Sequence, residues 1–71
     1  MDLPEIKAIM DQIYAAMEEK GYSPIYQFVG YILENDPTYI TNHNNARTLI
    51  KQMDRKVLVY ELLSYYFTSK A

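Results

Sequence analysis

Apolar residues recur with helical spacing along most of the chain. Ile6, Ile9, Met10, Ile13, Tyr14 and Met17 fall at i, i+3, i+4, i+7, i+8 and i+11, which places them in one stripe on an α-helix. Lys7, Asp11, Gln12, Glu18 and Glu19 lie elsewhere around that helix. Pro4 suits a first helical turn, Asp2 with Glu5 resembles a capping box, and Lys20 followed by Gly21 reads as a C-terminal stop. Ser23 and Pro24 repeat the start signal, and Ile25, Phe28, Val29, Ile32 and Leu33 give a second stripe. Gly30, inside that helix, costs about 1 kcal/mol relative to alanine, so it predicts close approach of another helix.

The segment DPTYITNHNNAR, residues 36–47, concentrates Asp, three Asn, two Thr and the sole His between the second stripe and the next. A residue before proline is pushed out of the α region, so Asp36 ends the preceding helix and caps a short turn with Tyr39 and Ile40 tucked inward. Residues 41–45 then form a polar connector in which Asn44 or Asn45 caps a helix with the apolar set Ala46, Leu49, Ile50 and Met53. Asp54 caps a last helix through Val57, Leu58, Leu62, Leu63, Tyr65, Tyr66 and Phe67. That last segment is apolar on more than one face, which in so short a chain predicts burial against a partner subunit. The fold expected is all-α: one domain over residues 1–71, a compact bundle of four main helices plus one short helical turn, homodimeric.

Composition strengthens the dimer expectation. The chain has 71 residues and no cysteine, so neither disulfides nor thiolate metal sites can support a small core, and oligomerisation is the remaining device. A net charge of -2 provides no overall pull toward nucleic acid or anionic lipid. No apolar run approaches the roughly 18 residues of a membrane span, and MDLPEIK lacks the basic start of a signal peptide. The reading is a soluble, cytoplasmic protein with no nucleic-acid or membrane partner.

Candidate chemistry is sparse. No catalytic residue, cofactor or metal is expected: His43 is the only imidazole, and the two glycines cannot form a phosphate loop. Arg47, Lys51 and Arg55, at i, i+4 and i+8, would align along one side of a helix with Lys56 nearby, a basic ridge suited to carboxylate or phosphate. With His43 beside it, this ridge is the candidate partner-binding surface. The alternative is a small helix-turn-helix DNA-binding protein using the same helix.

The string GYSPIYQFVGYILENDPTYITNHNNARTLI resembles the IreB/ReoM family of small regulatory phosphoproteins. Gly21, Tyr22, Pro24, Ile25, Gln27, Val29, Gly30, Tyr31, Asp36, Pro37, Tyr39, Ile40, His43, Ala46, Arg47 and Arg55 match the family pattern, and the resemblance runs from about Glu5 to Tyr66. It implies a helical, cytoplasmic homodimer that catalyses nothing. It also implies control by a membrane Ser/Thr kinase, contact with the proteolysis of a peptidoglycan precursor enzyme, and a role in cell-wall homeostasis and antibiotic resistance. The chain departs from the pattern in two respects. Relatives carry their phosphorylated threonine in an N-terminal tail, whereas the first threonine here is Thr38; and Asn42, Lys51 and Gln52 stand where relatives often have arginine.

Overall fold

A computed structural model describes residues 3–69, with side chains from 5 to 68. Four α-helices follow one another: α1 (Leu3–Glu19), α2 (Pro24–Glu34), α3 (Ala46–Lys51) and α4 (Arg55–Ser69). Two short 3₁₀ turns, Pro37–Tyr39 and His43–Asn45, link α2 to α3, so the expected polar connector contains a second turn. Among the described residues there is no strand.

Each helix end follows from local chemistry. Gly21, at φ 80°, closes α1: its amide donates to the Glu18 carbonyl and the Tyr22 amide reaches back to the Met17 carbonyl, both at 3.0 Å. α2 ends on Asn35 in the left-handed conformation, its amide donating to the Tyr31 carbonyl at 2.8 Å. Asp36 caps the first 3₁₀ turn through the Thr38 amide and hydroxyl, at 3.0 and 2.7 Å. Asp54 caps α4 by accepting from the Lys56 and Val57 amides. Ser23 holds the N-cap position of α2 without a side-chain bond to the backbone. Asp2, half of the expected capping box, lies outside the described residues.

The asparagines of the connector have a conformational role rather than the expected capping one. Asn44 and Asn45 both take positive φ, 52° and 62°, a region in which asparagine is several-fold enriched among non-glycine residues. Asn45 sits at the N-cap of α3 without a capping side-chain bond, and the Asn44 side-chain Nδ2 instead donates to Glu19 Oε2 at 3.0 Å.

The core gathers Ile6, Ile13, Ala16 and Met17 of α1, Phe28 and Tyr31 of α2, Ile40, Ala46 and Ile50, Met53, and Leu58 of α4. The α1 stripe faces this core as expected, except that Tyr14 is exposed. α2 turns differently from the expectation: Phe28 and Tyr31 are buried and Ile32 half-buried, while Ile25, Val29 and Leu33 face outward, Leu33 at 76% exposure. Both sides of α2 are apolar, so helical spacing alone could not choose between them.

Gly30 allows a close approach, made by the Tyr39 ring of the first 3₁₀ turn rather than by another helix. A Cβ built at Gly30 would lie 2.5 Å from Cδ1 and Cε1 of that ring. Gly30→Ala therefore sets a helix-propensity gain of about 1 kcal/mol against an overpacking cost of about 1–3 kcal/mol. The clash is expected to win, lowering the urea midpoint, and Gly30→Ala combined with Tyr39→Ala should recover part of the loss.

Candidate functional site

The sequence places Arg47, Lys51 and Arg55 at helical spacing, but the chain does not keep them on one helix. α3 ends at Lys51, Gln52 and Met53 close it with amide bonds to Leu49 and Ile50, and Asp54 starts a new helix. Arg47 and Lys51 thus belong to α3 and Arg55 to the first residue of α4. The continuous ridge expected from the spacing is broken by a corner at residues 52–54, because the cap at Asp54 overrides the i+4 register.

Both arginines are engaged within the chain. Arg47 Nε donates to the Ile40 carbonyl at 3.0 Å, joining α3 to the end of the first 3₁₀ turn. Arg55 Nη1 donates to the Ile32 carbonyl at 3.0 Å, joining the base of α4 to the last turn of α2. Each is half-buried, and each guanidinium has five N–H donors of which one is used in these bonds. Lys51 and Lys56 are exposed. A cleft of about 610 Å³ at the α2–α4 junction is lined by Ile32, Asn35, Asp54, Arg55, Lys56 and Val59, which brings two cations to one open, partly apolar depression.

His43 does not join that cleft. Its Nε2 lies 3.4 Å from Glu19 Oε2, the same oxygen that accepts from Asn44, so this corner binds the connector to the end of α1. Sequence reasoning missed Glu19, which lies 24 residues from His43 and carries no local signal. It also missed the arginines' acceptors, because a backbone carbonyl leaves no trace in residue identity. Among the described residues no group of three or more His, Asp or Glu is placed to hold a metal ion. No helix of the described residues is long and apolar enough to cross a membrane.

The bonds from Thr38 hold the Asp36 carboxyl below its ordinary value of 3.8, with Arg47 adding a smaller electrostatic contribution. A carboxyl depressed in the folded state contributes stability that is complete above the unfolded-chain value and is lost as pH falls through the folded one. Asp36→Asn is therefore expected to flatten the acid limb of the stability profile. Thermal melts taken below about pH 4, near the reference carboxyl value, should show native protein and variant converging.

The fold is that of a small helical protein whose described surface carries a few cations beside an open cleft. A family model for the IreB regulatory phosphoproteins matches residues 2–68, so the chain belongs to that family. It is 54% identical over 65 residues to a UPF0297 protein of Lachnoclostridium phytofermentans, covering 89% of this chain and 74% of that one. A UPF0297 protein of Ruminiclostridium cellulolyticum is 50% identical over 62 residues, covering 87% and 70%.

Proposed function

We propose that this chain is a non-enzymatic regulatory adaptor in Ser/Thr-kinase-controlled cell-wall homeostasis, acting in the cytoplasm as a homodimer. An acidic or phosphorylated segment of a partner protein is held at Arg47, Lys51, Arg55 and His43. The observation that carries the regulatory reading is membership of a regulatory phosphoprotein family over residues 2–68.

Geometry supports the two interaction surfaces. α4 buries only Leu58 among its described side chains, while Tyr60, Leu63, Tyr66 and Phe67 stand more than half exposed. Contiguous apolar surface of this kind marks association in a soluble chain. Lys51 and Lys56 are open to a partner, and the donors that Arg47 and Arg55 do not spend internally can grip a carboxylate or phosphate in paired bonds. No feature favours the helix-turn-helix alternative, since the helix carrying Arg47 and Lys51 is six residues long and Arg55 lies beyond its end.

Lys51→Glu tests the surface without touching the core. The variant should unfold at the native midpoint, yet change resistance to a wall-active antibiotic as fully as deletion of the gene does. A deletion strain with unaltered resistance would overturn the proposal.

A further inference from the structure

We infer that Arg55 acts as a tether that fixes the direction of α4, and so the orientation of the apolar face that α4 presents. This rests on the reading that α4's outer face is the surface of self-association, and it gives the arginine a role distinct from gripping a partner.

The argument begins at the end of α2. Asn35 takes the left-handed conformation, its amide closes on the Tyr31 carbonyl, and the chain then leaves through Pro37, which has no N–H to fold back. The Ile32 carbonyl in that last turn receives the Arg55 guanidinium instead, at 3.0 Å. A cation there also meets the negative end of the α2 dipole.

Among the described residues α4 is packed less extensively than α3: Leu58 is its one buried side chain, preceded by Met53 in the corner at residues 52–54, and Leu58, Leu62 and Tyr65 border an open groove against Ile6, Lys7, Met10 and Asp11 of α1. Arg55 is the first residue after that corner, so its bond acts at the base of a 15-residue helix. Such a helix is about 22 Å long, and a rotation of about 10° at the base would carry its tip about 4 Å. Tyr65, Tyr66 and Phe67, near the tip, are the exposed aromatic side chains that such a rotation displaces most.

Arg55→Met keeps the aliphatic stem and removes every donor, and amide hydrogen exchange on the whole chain reads the result. The α4 amides should exchange about tenfold faster, the scale of one charge-assisted bond, while the α1 amides around Ile13 keep native rates. Self-association should weaken by a similar factor in sedimentation. Lys20→Met, an exposed cation just past the far end of α1 and outside the proposed partner surface, should change neither. Native α4 exchange in Arg55→Met would overturn the tether. Should Arg55→Met fail to fold, Arg55→Gln is read in the same way: its side-chain amide stops short of the guanidinium's reach, so faster α4 exchange supports the tether and native exchange overturns it. The two readings fail separately. A native protein that sediments as one copy sinks the self-association reading, whereas the exchange measurement still decides the tether.

Discussion

Ile50→Ala is expected to leave the chain largely unfolded at room temperature. Ile50 has no exposed surface and sits in α3, whose packing against α1 is the most extensive between elements of the described residues. Truncating a buried isoleucine costs about 2–5 kcal/mol through lost transfer energy and the cavity left behind. A core in a chain of this size rarely supplies more than about 3–5 kcal/mol, so one truncation removes most of the margin. Far-ultraviolet circular dichroism and urea titration check this directly. Leu33→Ala on the outer side of α2 is the matched control and should leave the midpoint of the isolated subunit nearly unchanged. A native spectrum and midpoint in Ile50→Ala would show that the α1–α3 contact is not the centre of stability.

On the proposed homodimer through α4, Leu63→Glu together with Phe67→Glu should separate the two copies without unfolding them. Both side chains are more than half exposed in the single chain, so charge there costs the isolated fold little. Across a two-fold interface each substitution counts twice. Losing about 1.5–3 kcal/mol per buried apolar side chain therefore predicts a dissociation constant weakened by a factor of about a hundred or more. Light scattering at several concentrations, with circular dichroism on the same samples, reads both halves of the prediction. Unchanged association in the folded double variant would move the interface away from α4.

The helices were legible because punctuation and periodicity agree. Gly21, Asp36 and Asp54 each end or start an element where the spacing changes, and the α1 stripe carries polar residues on its other sides. α2 was harder to orient. Residues 22–33 contain no charge, so nothing in the sequence separates the Phe28 and Tyr31 face from the Ile25, Val29 and Leu33 face. Packing against the first 3₁₀ turn and α1 decides instead, burying Phe28 and Tyr31 while Tyr26 stays exposed.

The candidate surface was legible only in part. Arg47, Lys51 and Arg55 were read as one row on one helix, although Asp54 carries the stronger local instruction. Once that cap breaks the helix, both arginines turn to carbonyls of their own chain. The asparagines of the connector were read as caps because that is their commonest task. Their positive φ values depend on the path the chain must take from the first 3₁₀ turn back to α1, which no local pattern encodes. The family resemblance, by contrast, was legible from the motif and is matched over nearly the whole length.

The central claim is that α4 offers its outer apolar face to a second copy. Sedimentation equilibrium of the native chain at micromolar concentration tests it most directly. The account predicts the mass of two chains, about twice 8.4 kDa, falling toward one chain only on dilution. A stable, folded species of single-chain mass across that range would contradict it.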